Sequence, residues 1–140
     1  MRKVHFDVAI VGGGLSGGLA ALALARLRPD VRVALIDGEP HFGGNHVWSF
    51  FGCDIAAEHK WLTAPLVCHG WAGNQVHFPR FSRKLRQNYY SIESERLDEH
   101  IRRTLPAEAC LSGTKVLACG PTSVVLDDGR RIEAGAVIDA

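Results

Sequence analysis

Residues 6–18 read FDVAIVGGGLSGG, a mostly apolar run followed by five glycines in seven positions. Glycine loses more backbone freedom on folding than any other residue. Such a cluster therefore marks a chain that must turn tightly, or a backbone that something approaches more closely than a Cβ allows. Residues 6–11 read as a buried parallel strand. Leu15, Leu19, Leu22 and Ala23 fall at helical spacing in an alanine-rich segment closed by Pro29, which predicts a helix over 15–27. Residues 31–37 (VRVALID) read as a second strand. The three elements make a βαβ unit, whose crossover is right-handed.

Gly12, Gly14 and Gly17 fit G-x-G-x-x-G between that strand and that helix. In this pattern the first glycine permits the turn and the second lets the backbone approach a pyrophosphate. The third lets helix and strand pack closely. Free N–H groups and the helix dipole then favour negative charge at the helix start. Gly12, Gly13, Gly14, Leu15 and Gly17 are accordingly the candidate phosphate-side residues. Asp37 ends the second strand twenty residues after Gly17, where a carboxylate accepts hydrogen bonds from ribose hydroxyls. Its charge argues against a 2′-phosphate and hence against NADP at this site. NAD and FAD both remain open on the glycine motif alone.

Composition narrows the class. Sixteen Lys and Arg stand against fifteen Asp and Glu, a balance that gives no support to nucleic-acid binding. A hydrophobic content of 46% suits a folded globular domain, and no apolar run approaches the roughly 18 residues of a membrane span. Met1, Arg2 and Lys3 lead straight into the first strand, so the expectation is a cytoplasmic protein without a secretory signal. The four cysteines form no C-x-x-C pair and read as reduced thiols. The seven histidines are scattered. His69 and His77 are placed to face each other across a hairpin, but two imidazoles without a third ligand make a poor metal site, and no metal is expected.

Beyond the βαβ unit comes a loop rich in glycine, histidine and aromatics, GEPHFGGNHVWSFFG. Asp54 is expected to cap a short helix running through Trp61 and ending near Pro65. Strands are expected over 66–71 and 75–78 around the turn Ala72-Gly73-Asn74, with further strand-like pieces near 83–86 and 89–92. Ser94 reads as the N-cap of a helix carrying Leu97, Ile101 and Leu105 on one face, with Arg102 and Arg103 in its last turn. KVLAC, TSVVL and RRIE read as a small antiparallel meander, after which AVIDA begins a new buried strand. A strand that stops with the chain predicts the front part of a longer protein.

This order resembles the FAD domain of the glutathione-reductase-like flavoproteins, where a meander replaces the usual crossover before the next parallel strand. The implied fold is α/β, a Rossmann-like FAD-binding domain with an antiparallel meander, incomplete in these residues. Residues 1–140 would then be its N-terminal part, with the start of a substrate-side subdomain inserted at about 45–92. In that family the backbone at the first meander strand often meets the adenine, and Val116 is the matching position.

The stretches DVAIVGGGLSGGLAALAL, VALIDGEPHFGGNHVWSF, WLTAPLVCHGWAGNQVHFP and RKLRQNYYSIESERL together resemble the bacterial lycopene β-cyclases. The likeness covers essentially the whole chain but only the front portion of that family's length. It implies closure of β-ionone rings on lycopene without net redox change. It also implies bound FAD in its reduced form, with NAD(P)H as reductant. A carboxylic acid would deliver the proton and an anionic reduced flavin would stabilise the developing cation. Another flavoenzyme on this scaffold, a hydroxylase or an isoprenoid reductase, is the alternative, as is a non-catalytic nucleotide-binding fragment.

Glu39, Asp54, Glu58, Glu93 and Glu95 read as solvated or capping carboxylates, and none is nominated as catalytic. These 140 residues alone are therefore expected to be inactive. Gly43 and Gly44 are candidates for bringing backbone near the flavin. Trp48 and Phe50 fit an isoprenoid tunnel or an aromatic-anchored loop equally. In HFPRFSRKLRQNYY, Arg80, Arg83, Lys84 and Arg86 alternate with Phe78, Phe81 and Leu85. That pattern fits peripheral contact with the inner face of the cell membrane, or a solvated sheet face.

Overall fold

The computed structural model describes residues 4–140. The expectation attached to Met1–Lys3 lies outside them. Strand β1 (Val4–Val11) is followed by helix α1 (Leu15–Leu27) and strand β2 (Val33–Ile36), as the glycine motif requires. β1 and β2 pair in parallel with Ile10 opposite Leu35, and all four residues of β2 are buried. α1 begins with no side-chain cap and ends where the Arg28 N–H bonds the Leu24 carbonyl, just before Pro29.

The middle of the chain builds a second layer. Strands β3 (Val47–Phe51), β4 (Val67–Trp71) and β7 (Tyr89–Glu93) form a three-stranded antiparallel sheet in the order β3-β7-β4. The short helix α2 (Lys60–Thr63) precedes β4. Strands β5 (Asn74–Phe78) and β6 (Phe81–Leu85) pair only with each other. His69 and His77 therefore sit in different sheets and do not face one another, and the His69 ring bonds Glu93 at 3.0 Å instead. Asp54 does not cap the following helix either. Its carboxylate accepts the Phe51 N–H at 2.8 Å and closes a one-turn 3-10 segment at Gly52–Asp54.

The stretch W-x-x-x-PLV docks this layer. The Arg26 guanidinium lies 4.6 Å over the Trp61 ring, tying α1 to α2, and Leu66 is completely buried. Leu66 and Ile92 share one apolar core with Ile10, Leu22, Leu35, Leu97 and Ile101. The inserted residues and the βαβ unit thus have a common core.

Helix α3 (Ser94–Thr104) has Glu93, not Ser94, at its N-cap. The Ser94 hydroxyl points at the preceding loop and accepts the His46 N–H at 3.3 Å. α3 crosses α1 at Gly18, where a Cβ would come within 3.0 Å of Ile101 and 3.3 Å of Leu97. Two residues after it, β8 (Cys110–Leu111), add a third parallel strand beside β2 that the sequence reading did not anticipate.

The meander is β9 (Val116–Gly120), β10 (Ser123–Leu126) and β11 (Arg131–Asp139). RRIE and AVID are not separate strands. β11 is one nine-residue strand, antiparallel to β10 over Arg131–Glu133 and parallel to β1 from Ile132 to Asp139. Gly135 lies between the two stretches. It is a close-approach site, where a Cβ would lie 2.9 Å from the Asp7 carbonyl oxygen. The main sheet thus runs β8-β2-β1-β11-β10-β9. α1 and α3 cover one face, while Val124, Leu126 and Ile132 pack with Ala34 and Ile36 in a second core.

Candidate functional site

The C-terminal ends of β1 and β2 lie side by side, the place where ligands bind in open α/β sheets. Gly12 leaves β1 with φ +106° and donates its N–H to the Ile36 carbonyl at 2.8 Å. A Cβ on Gly12 would fall 2.2 Å from the Ala140 carbonyl oxygen, and one on Gly17 would fall 1.9 Å from the Gly12 carbonyl oxygen. These two glycines serve the turn and the helix–strand contact.

Gly14 differs. It is exposed, its φ of −76° suits any residue, and a Cβ built on it meets nothing within 4 Å. As the N-cap of α1 it opens onto space. The first helical bond runs from Gly18 N–H to the Gly14 carbonyl, so the N–H groups of Leu15, Ser16 and Gly17 have no intrahelical acceptor. No acidic side chain occupies the first turn to neutralise them. An open mouth lined by free N–H groups at a helix start favours negative charge.

Gly13 is buried and already committed. Its N–H donates to Asp37 Oδ2 at 2.7 Å, its carbonyl accepts the Gly43 N–H at 2.7 Å, and a Cβ there would lie 2.3 Å from the Phe42 ring. It holds the turn in shape. The other Asp37 oxygen accepts the Glu39 N–H at 2.8 Å, so this half-buried carboxylate ties the glycine turn to the loop that follows β2.

Main-chain bonds bring the start of the meander to the same place. Thr114 N–H donates to the Asp37 carbonyl at 3.1 Å and Gly113 N–H to the Glu39 carbonyl at 2.7 Å. Residues 113–116 therefore run alongside 37–39. Val116, half-buried at the start of β9 opposite Leu126, lies two residues beyond the Thr114 contact.

The loop between β2 and β3 turns through Gly43 and Gly44, with φ +84° and +63°. It is pinned by residues the sequence reading did not nominate. Phe42 is fully buried and donates its N–H to Asp98 at 2.8 Å. Arg102 pairs with Asp98, lies 4.9 Å over the Phe42 ring, and donates to the Pro40 carbonyl and the Ser112 hydroxyl at 2.9 Å each. Asp98 and Arg102 were legible only as an i, i+4 pair on a helix.

Trp48 packs toward the main core with its ring 5.8 Å from that of His46. Phe50, its ring 5.6 Å from that of Tyr90, lines an apolar cleft of about 300 Å³ with Gly52, Ile55, Val67 and Tyr90; the one charged group lining it is Lys60. Of the carboxylates considered from sequence, Asp54 is held by the Phe51 N–H and Glu93 by His69, and none lines this cleft. Burial raises the Cys110 thiol above its usual pKa, the nearby Arg102 opposing only part of that rise.

An open N–H-lined helix start, a carboxylate at the end of the second strand and a meander running to its side are the architecture of a Rossmann-type dinucleotide-binding fold. Residues 7–140 match the family model described as lycopene cyclase protein, and the chain belongs to that family. It is 43% identical over 136 residues to a lycopene beta-cyclase of Pantoea ananas, covering 96% of this chain and 35% of the relative. A lycopene beta-cyclase of Pseudescherichia vulneris is 44% identical over 136 residues, covering 95% and 34%. The chain thus spans about a third of the length of the curated relatives it matches.

Solved structures share the fold at lower identity. A geranylgeranyl bacteriochlorophyll reductase-like protein from Thermoplasma acidophilum superposes with a TM-score of 0.67 at 20% identity, over 99% of this chain and 40% of that one. A putative FAD-containing monooxygenase from Photorhabdus luminescens subsp. laumondii superposes with a TM-score of 0.62 at 14% identity, over 96% and 39%.

Proposed function

We propose that the protein is a lycopene β-cyclase that binds FAD at the glycine turn and closes β-ionone rings on lycopene without net redox change. The observation carrying this reading is identity of 37–44% to three curated lycopene beta-cyclases across nearly the whole chain. The residues fit a dinucleotide: space lies in front of Gly14 where a Cβ would project, and the adjoining N–H groups of Leu15, Ser16 and Gly17 lack acceptors.

In this reading those N–H groups bind the pyrophosphate. Asp37 accepts from the ribose hydroxyls while keeping its bonds to the turn. The backbone at Val116 borders the adenine, and Gly43 and Gly44 let the loop approach the flavin side. A reduced flavin held there would supply negative charge to offset developing positive charge, and NAD(P)H would supply the electrons that keep it reduced. An apolar wall such as that of Phe50 and Tyr90 suits a substrate that is entirely hydrocarbon. Cyclisation needs a proton donor held out of water beside such a wall. None of the carboxylates weighed above meets that description, so the donor is assigned to none of them.

The test is expression of the full reading frame, with these 140 residues alone as the comparison expected to be inactive, in a lycopene-accumulating bacterium, with pigments separated by chromatography and weighed by mass spectrometry. β-Carotene, isomeric with lycopene, is expected. A product that has gained hydrogen or oxygen would identify a reductase or hydroxylase instead. Unchanged lycopene in cells holding folded, flavin-loaded protein would end the cyclase reading.

A further inference from the structure

We propose that the β5–β6 hairpin is a finger that docks the protein on an anionic lipid bilayer. Cross-strand partners share a face of a hairpin, and successive residues alternate. Phe78 is paired with Phe81 and Val76 with Arg83, which puts both phenylalanines on one face at the tip with Val76 and Arg83 behind them. His77, Ser82, Gln75 and Lys84 take the opposite face. The tip is bare, with Phe78 62% and Phe81 58% exposed. Pro79 and Arg80 make the turn between them, and Arg80 is exposed as well.

Two physical facts make this surface unusual for one facing only water. A two-stranded hairpin is marginal by itself, and here neither strand pairs with a third. Its two largest apolar side chains are spent on no core, so the tip favours an apolar medium. Charge then selects which one. From residue 59 to residue 92 the chain carries Lys60, Arg80, Arg83, Lys84 and Arg86, while all fifteen acidic residues lie outside that stretch. Among the described residues none of Arg80, Arg83, Lys84 and Arg86 has an ion-pair partner, although seven other pairs form elsewhere. Unpaired cations around exposed aromatics complement a surface that is anionic outside and apolar beneath, which is a bilayer of acidic lipids. No helix among the described residues is long and apolar enough to cross a membrane.

The docking is independent of the cyclisation chemistry, and its test does not use activity. The purified protein is sedimented with vesicles of phosphatidylcholine alone and with vesicles containing about 30 mol% phosphatidylglycerol. Wild type is expected in the pellet only with the acidic vesicles, and it should be released by about 0.5 M NaCl as the charges are screened. Phe78→Ser with Phe81→Ser should weaken partitioning about tenfold or more. Arg83→Gln with Lys84→Gln should weaken it roughly 25-fold, at about fivefold per charge near the headgroups. All four positions are exposed, so unfolding midpoints should not move. On wild type itself, backbone hydrogen exchange over residues 74–85 should slow when acidic vesicles are added. Equal partitioning to both vesicle types, variants that sediment like wild type, or unchanged exchange in the hairpin would each overturn the proposal. The last result is also the one expected if another protein segment covers the tip.

Discussion

Alanine placed at Gly14 and at Gly17, three residues apart in one turn, should produce opposite signatures. At Gly17 the new Cβ would stand 1.9 Å from the Gly12 carbonyl oxygen. An ordinary contact begins at 3.4 Å, so strand and helix must separate by about 1.5 Å, and the atom in the way is backbone. Overpacking of that kind costs about 1–3 kcal/mol or more. At Gly14 the Cβ meets no atom within 4 Å and φ is unstrained. The only cost there is that of alanine as an N-cap, about 0.5–1 kcal/mol. That same Cβ, however, fills the space assigned to the pyrophosphate. Denaturant unfolding of the apoprotein followed by circular dichroism, and FAD titration followed by flavin fluorescence, separate the two effects. Gly17→Ala should unfold at clearly lower denaturant, whereas Gly14→Ala should unfold close to wild type yet bind FAD at least about tenfold more weakly. Wild-type FAD affinity in Gly14→Ala would remove the phosphate assignment. A wild-type midpoint in Gly17→Ala would show that the helix–strand contact is not as tight as drawn.

Asp37→Ala should act on both readouts at once, because the carboxylate holds two backbone N–H groups before any ligand arrives. Apoprotein stability should fall by about 2–3 kcal/mol and FAD affinity by a further 1.5–3 kcal/mol or so, the range for hydrogen bonds to a charged acceptor; loss of neither would make Asp37 a spectator. Thiol alkylation near pH 8 should label the exposed Cys53 and Cys119 first. Cys110 should lag until the pH is raised further, since burial disfavours its thiolate and lifts its pKa above the usual value; mass spectrometry showing equal labelling of all three would contradict its placement beside β2.

The βαβ unit was legible because every level agreed: apolar runs at strand length, alanine at helical spacing, and glycines where a Cβ would strike backbone, at Gly12 and Gly17, or project from the open helix start, at Gly14. The meander was legible as strands but not as topology. RRIE and AVIDA read as separate strands, because a sequence does not reveal that Gly135 between them admits the Asp7 carbonyl at close range and lets one strand run through. β8 was missed because two residues carry no periodicity, and only the edge of β2 defines them as a strand. The partners of β4 and β5 were misjudged for a related reason. Ala72-Gly73-Asn74 reads as a hairpin turn by composition, yet β4 finds its partner in β7 and leaves β5 to pair onward with β6. Turn residues say that the chain bends, and tertiary packing decides which strands meet.

The buttress of the site was illegible for a different reason: its parts are remote in sequence and ordinary in type. Phe42, Asp98, Arg102 and Ser112 span seventy positions and match no motif. Their arrangement nonetheless ties one loop to each element around the glycine turn. Residues 37–44 touch the glycine turn through Asp37 and Gly43, the meander through the Asp37 and Glu39 carbonyls, and α3 through Phe42 and Pro40. Arg102 closes the set, since one guanidinium reaches Asp98, Pro40, Ser112 and the Phe42 ring. Lysine at 102 would keep the charge but lose the planar fork that meets several acceptors at once. The loop is thus held from behind by Asp98, Arg102 and Ser112, while its backbone faces the glycine turn in front. A binding surface made of backbone needs that support. Main-chain groups cannot change rotamer to suit a ligand, so their positions must be fixed by the packing beneath them.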